Sequence, residues 1–333
     1  MNRLVVAKTL ILVLTVLGFF TLAVPYSLYA ADYPTRPVTL IIPRPPGGSS
    51  DVIGRAFATV AKEYLEQPIV VLNKTGASGM VGGQAGAQAA PDGYTLTLVS
   101  TSVRCAVAWE KANGRPTAFT EDDFVGIVTL NISPAMIIVP YDSPWKKLQD
   151  LIDDAKNKPN HYAYCSGGQF SSSHLPLEIF SRALGLKFRH VPTTGGGPCI
   201  SAVVGKHVEF ASQYPSSTIP LIMGKKLRAL AIQSDKRLAS LPDVPTVKEL
   251  GIPAEFYQNN AVAVPKNTPL SVVQKLRGVA RRVVEDKAYA SVVEKLGDEV
   301  YFLIGEDMVK QWKSEAETIN KTMDAIVKEL PKK

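Results

Sequence analysis

Cysteine and histidine are scarce in this chain, and those present lack the spacings that metal or redox chemistry needs. Cys105, Cys165 and Cys199 form no CxxC pair, and His161, His174, His190 and His207 fall in no HExxH or other ligand spacing. Neither a metal nor a cofactor is therefore expected. No GxSxG elbow marks a nucleophilic serine, and no GxxxxGK[ST] marks a phosphate loop. The glycines of "TGASGMVGGQAG" (75–86) fall at 76, 79, 82, 83 and 86, which misses the GxGxxG of a dinucleotide turn. The acids show no isolated pair suited to general acid and base work. Of the three cysteines, Cys165 and Cys199 have a bridge open to them in an oxidising compartment, but unpaired buried thiols are the expectation.

Only one long apolar run occurs. Arg3 and Lys8 precede "TLILVLTVLGFFTLAV", and small residues follow at "SLYAAD". That order reads as a secretory signal over residues 1–30, cleaved after Ala30 or Ala31; a retained anchor is the alternative. The remainder is expected to be soluble and exported to the periplasm. Losing Arg3 and Lys8 lowers the formal charge from +7 to +5. The excess lies in short pairs such as Lys225-Lys226 and Arg281-Arg282, so no nucleic-acid partner is expected.

The 333 residues, 46% apolar, suffice for two modest cores. "VTLIIP" (38–43), "PIVVLN" (68–73) and "YTLTLVS" (94–100) read as strands, separated by a helical pattern from Asp51 to Glu66 and a small-residue helix at 79–90. This alternation predicts a parallel α/β layer. A second series begins past "NISPAMIIVP" (131–140), which Pro134 interrupts, and the chain returns through "EFYQNNAVAVP" (255–265) to three helical stretches near 269–285, 287–296 and 305–329. The pattern predicts an α/β protein of two lobes joined by two connections, with a cleft between them. Residues 32–134 plus 258–333 would form lobe 1 and residues 135–257 lobe 2.

In a parallel sheet, ligands bind beyond the carboxyl ends of strands, where loops lead into helix N-termini. Four such ends are rich in glycine and hydroxyl residues. "IIPRPPGGSSD" (41–51) offers Pro46, Gly47, Gly48, Ser49, Ser50 and Asp51: glycines for close backbone approach, serines as caps and donors, and a helix N-terminus for an anion. "STSVR" (100–104) adds Ser100, Thr101, Ser102 and Arg104, whose planar fork suits a carboxylate. "CSGGQFSSSH" (165–174) adds Ser166, Gly167, Gly168, Ser171, Ser172 and Ser173; "PTTGGGP" (192–198) adds Thr194, Gly195 and Gly196. Together they predict a polar, anion-binding cleft. A secreted hydrolase built on Ser173 and His174 is a remote alternative, because adjacent helical residues point about 100° apart.

The segments "YPTRPVTLIIPRPPGGSSDVIGR", "QPIVVLNKTGASGMVGG", "APDGYTLTL", "SSSHL", "LRALAI" and "LPDVPTVKELGIP", in this order, resemble the Bug-type extracytoplasmic solute receptors of tripartite tricarboxylate transporters. The resemblance spans nearly the whole mature chain. It implies a two-lobed, type II periplasmic-binding-protein-like fold with mixed sheets flanked by helices, no catalytic step, and capture of a small organic acid for a membrane permease. It also implies that Pro46 to Asp51 and Ser166 to Ser173 grip the ligand carboxylate, partly through water. A sensor kinase is the alternative partner for the same closed form. The chain departs from the family pattern at Thr193 and Thr194, at Ala211, Ser212 and Gln213, and around Asn259 and Asn260; Gln213 remains a candidate ligand residue. Arg44 and Arg104 match no fixed family role.

Overall fold

The computed structural model describes residues 33–329, so the expected leader and its cleavage point lie outside the described residues. From Arg36 onward, the run between Pro37 and Pro43 forms β1 (Val38–Ile42), followed by α1 (Ser49–Leu65), β2 (Ile69–Asn73), α2 (Met80–Ala87), β3 (Thr95–Ser100) and α3 (Thr101–Ala112). β1 pairs in parallel with both β2 and β3, as the alternation predicts. The second series is β4 (Phe124–Pro140), α4 (Leu148–Asn157), β5 (Ala163–Ser166), α5 (Leu175–Leu184), β6 (Arg189–Pro192), α6 (Gly196–Val204), β7 (Phe210–Gln213), α7 (Pro215–Met223) and β8 (Leu227–Gln233). The return comprises β9 (Tyr257–Pro265), α8 (Leu270–Glu285), α9 (Lys287–Lys295), β10 (Glu299–Leu303) and α10 (Gly305–Glu329). No described helix is long and apolar enough to cross a membrane.

Among the described residues ten strands join in one mixed sheet, ordered β2-β1-β3-β9-β4-β7-β5-β6, with β8 and β10 also paired to β4. Strand β4 serves both halves: Phe124 to Pro134 pairs with β9, and Ala135 to Pro140 with β8. Pro134 does not interrupt the run as expected. It sits opposite Tyr257 at the last pair of the β9 ladder, so its missing N–H falls where β4 changes partners. The next amide, Ala135 N, donates to Phe256 O at 2.9 Å.

This register gathers strand ends at one seam. Ser100, the last residue of β3, lies opposite Asn260, which lies opposite Asn131 of β4. Gln213, the last residue of β7, lies opposite Met136 of β4. Helices cover both faces of the second half. Met136 and Ile138 bury against Cys165, Cys199, Ile200 and Val203, whereas Ile137 and Val139 bury against Trp145, Leu148, Phe180 and Phe210.

The thiol expectation is corrected here. Cys165 and Cys199 form a disulfide, with S–S 2.10 Å and Cα–Cα 5.6 Å; packing of α6 on β5 brings together residues 34 apart in sequence. Cys105 is a free, buried thiol, pushed up to about 12 by burial. Two elements carry no clear sequence signal. Helix α7 is masked by Pro215 and Pro220, and β10 is a short strand paired to β4 across a register shift.

Asp298, just before β10, is fully buried and accepts from Ser133 Oγ (2.6 Å), Asn131 Nδ2 (2.6 Å) and Ser216 N (3.3 Å), tying β4 to the start of α7. Burial raises its pKa from 3.8 to about 6. A carboxyl that binds its proton more tightly when folded contributes stability in full below its unfolded pKa and loses it as pH rises through the folded one. Relative to wild type, Asp298→Asn is therefore expected to gain stability between pH 3.8 and about 6, by a few kcal/mol, since each tenfold difference in proton affinity is worth about 1.4 kcal/mol. Urea denaturation across that range checks it, and parallel curves for the two proteins would refute it. A second test concerns packing, since a Cβ at Gly86 would lie 2.0 Å from Thr97 Oγ1. Gly86→Ala is expected to cost about 1–3 kcal/mol, with part recovered by adding Thr97→Ala; an unchanged thermal midpoint in Gly86→Ala would contradict this.

Candidate functional site

Four helices begin at the seam with no capping bond from the side chain of their own N-cap residue, although Asp298 accepts from Ser216 N in the first turn of α7. Their N-cap residues are Gly48 of α1, Ser100 of α3, Gly195 of α6 and Tyr214 of α7. First-turn N–H groups have no intrahelical acceptor, and aligned peptide dipoles leave each N-terminus partly positive. Helices α1 and α3 follow strands of the first half; α6 and α7 follow strands of the second. The first-half loop and the second-half loop meet backbone to backbone. A Cβ on Gly48 would lie 3.6 Å from Gly197 N, and one on Gly195 would lie 2.1 Å from Pro45 Cγ.

Between these ends lies a cavity of about 30 Å³, room for one or two waters. Arg44, Gly48, Ser49, Ser50 and Ser102 line it from the first half. Gly167, Ser172, Ser173, Gly196, Gln213 and Tyr214 line it from the second, with Gln258 of β9 at the crossing. No acid is among them. Neutral hydrogen bonds link the halves: Ser216 Oγ donates to Ser49 Oγ (2.7 Å), and Ser172 Oγ donates to Gln258 Oε1 (3.0 Å). Gln258 Nε2 in turn donates to Ser49 Oγ (2.9 Å), and Tyr214 OH donates to Ser172 O (2.6 Å). Ser50 Oγ donates to Asn260 Oδ1 (2.7 Å). A surface hollow of about 520 Å³ beside α4, walled by Lys146, Lys147, Lys156 and Leu250, is larger. It lacks convergent buried polar groups and is not the candidate site.

Arg44 is the cation of the cavity. Pro43 and Pro45 flank it and restrict its backbone, while its carbonyl accepts from Asn73 Nδ2 at 2.9 Å. Its side chain crosses the seam to donate to Gly167 O (2.9 Å) and also donates to Ser102 Oγ. Only 6% exposed, it has no carboxylate partner among the described residues. Burial lowers its pKa to about 10, so it stays protonated at neutral pH.

The other expected residues lie behind or beside the cavity. Arg104 is turned away from it: the guanidinium pairs with Glu315 of α10 and donates to Asn259 Oδ1 (2.9 Å) and Thr101 Oγ1 (3.1 Å). Thr101 is thereby engaged, and Ser100 Oγ is buried without a partner. Asp51 is satisfied internally by Gly47 N (3.1 Å), Arg55 Nε (3.0 Å) and Asn73 Nδ2 (2.8 Å), so it braces the loop. Pro46, Gly47 and Thr194 are exposed outside the cavity, and Gly195 packs on Pro45. Ser166 Oγ donates to Gly168 O (2.8 Å) and meets His190 Nε2 (2.7 Å); burial beside His174 depresses His190 to about 3. Ser171 Oγ lies 3.2 Å from Ser173 Oγ.

Ser173 and His174 do not form a pair. Ser173 Oγ accepts from Gly167 N (2.8 Å), while His174 Nδ1 accepts from Phe170 N (2.8 Å) and its Nε2 faces Glu178 at 3.3 Å. Arg44, Tyr214 and Gln258 escaped the sequence reading as site residues. For Arg44 the available signal was a lone basic residue framed by prolines at a strand end.

Residues 53–330 match the profile described as tripartite tricarboxylate transporter family receptor. Protein BugT of Bordetella pertussis is 34% identical over 83% of this chain and 85% of its own length. A solved structure described as that of a periplasmic transporter is 30% identical, with a TM-score of 0.84 over 90% of this chain and 98% of that one. An R. palustris protein solved with adipate is 26% identical, with a TM-score of 0.82 over 88% of this chain and 98% of that one. Those solved relatives share the arrangement of curled sheet and flanking helices, and each match covers close to nine-tenths of this chain. The chain belongs to the receptor family of the tripartite tricarboxylate transporters, whose members bind solutes and are not enzymes.

Proposed function

We propose that this protein is a periplasmic receptor that captures a small organic carboxylate between two lobes and delivers it to a tripartite tricarboxylate-type permease. The lobes are residues 32–134 with 258–333, and residues 135–257, so that the crossings lie where β4 changes partners and where β9 begins. The observation that carries the reading is the cavity itself, where uncapped helix N-termini, serines and glycines from both halves face a space with no acid. A carboxylate there replaces water as the acceptor for main-chain amides and hydroxyls, and its contacts with both lobes favour the closed form. The solved relative with adipate supports this ligand class, and the relative described as a periplasmic transporter supports the compartment.

Thermal shift with a panel of di-, tri- and aromatic carboxylates tests the ligand class. Saturation at a hundred times Kd is expected to stabilise the fold by about 2.7 kcal/mol, and a midpoint unmoved by every acid at millimolar concentration would overturn the reading. Closure has its own test. Because a Cβ on Gly195 would lie 2.1 Å from Pro45 Cγ where the two loops touch, Gly195→Ala is expected to weaken binding roughly ten- to a hundredfold, the equivalent of about 1–3 kcal/mol of overpacking. Undiminished affinity in calorimetry would remove loop contact from the mechanism.

A further inference from the structure

Two groups in the cavity are incompletely matched: Arg44 donates to Gly167 O and Ser102 Oγ but has no counter-charge among the described residues, and Gln213 has a donor without an acceptor. The guanidinium of Arg44 comes from the first half, 6% exposed and with no carboxylate among the described residues to balance it. Gln213 Nε2 comes from the end of β7 in the second half, buried and without a hydrogen-bond partner. Both line the same space. Gln213 is held there by close packing, since a Cβ on Gly196 would lie 3.1 Å from its Oε1. The nearby acids are committed elsewhere: Asp51 to Arg55, and Glu315 to Arg104. A buried cation is costly unless paired, and an unmet buried donor adds to that cost. Helix N-termini already supply the partial positive charge that one carboxylate neutralises, so Arg44 adds a full charge beyond it.

We infer that Arg44, with Gln213 opposite, is the specificity determinant that reads a second negative charge on the guest and makes closure conditional on it. The inference rests on the carboxylate-receptor reading. With a monoanion the closed form keeps an unneutralised buried guanidinium; with a dianion a charge-assisted hydrogen bond replaces the water that Arg44 gives up. Lining residues are otherwise hydroxyl, amide or glycine, with Tyr214 the sole aromatic and no aliphatic side chain. The guest is therefore a compact, polar dianion.

The test compares acids with partners of nearly equal size and one charge fewer. Succinate, malate and adipate are each titrated by calorimetry against their monoamides, using wild type, Arg44→Gln, Arg44→Lys and Gln213→Ala. Wild type should prefer the tightest-binding diacid over its monoamide by roughly ten- to a hundredfold, the worth of a hydrogen bond to a charged group. Arg44→Gln should reduce that ratio to about threefold or less, Arg44→Lys should retain most of it, and Gln213→Ala should lower it. An equal preference in wild type and Arg44→Gln, or no preference in wild type, would overturn this inference and leave the receptor reading standing. Failure of every acid and monoamide to bind wild type would overturn both. If Arg44→Gln fails to fold, loss of the preference in Arg44→Lys would count against the inference, and its retention with a lowered ratio in Gln213→Ala would support it.

Discussion

The antiparallel pairing of β4 with β9 is the constraint on which the rest of the structure depends. A 17-residue strand leaves one set of partners and takes up another without breaking, and the point of exchange is Pro134. Because β9 also carries the end of β3, and the second stretch of β4 carries the end of β7, the ladder registers bring strand ends of both halves to one place. Each end feeds a helix, so amide donors accumulate at the seam. Shifting that register by one residue would turn the strand's inward side chains outward and scatter those ends.

Charge is distributed around the seam with little slack. Asp51 lies in the first turn of α1, where it favours the dipole, but Arg55 and Asn73 occupy its oxygens. Glu315 sits near α3, yet Arg104 and Asn259 take both of its oxygens. Asp298, on the far side of Ser216, has three donors of its own. What remains facing the cavity is neutral or positive, and the hydrogen bonds that join the halves there run between uncharged groups, apart from those of Arg44. Neutral links of this kind contribute about 0.5–1.5 kcal/mol each, which lets them part and re-form.

An apolar contact also joins the halves. Phe170, in the loop after β5, stacks on Trp109 of α3 with ring centroids 3.8 Å apart. Leu175, Ile319, Met323 and Ile326 bury in the same cluster, so a loop of the second half docks on helices that pack with the first. The Cys165–Cys199 bridge pins β5 to α6, the elements that present Gly167 and Gly196.

The sequence by itself determined the elements that rest on local rules. A proline-bounded apolar run gave β1, further apolar runs gave β2 and β3, spacing by three and four gave α1, and glycine and hydroxyl residues at strand ends marked the loops that line the cavity. It also carried the family resemblance, through segments whose order survives any folding argument. Local rules failed where partners are distant. Pro134 reads as a break because its tolerated position depends on which strand lies opposite, and α7 is hidden because Pro215 at its start and Pro220 inside it read as breaks by local rules. Cys165 and Cys199 meet only through packing of α6 on β5. The two arginines show the limit most plainly: as isolated side chains Arg44 and Arg104 are equivalent, but tertiary structure gives Arg104 a glutamate and leaves Arg44 without one. Burial and pairing are properties of surroundings assembled from remote segments, which no short stretch of sequence contains.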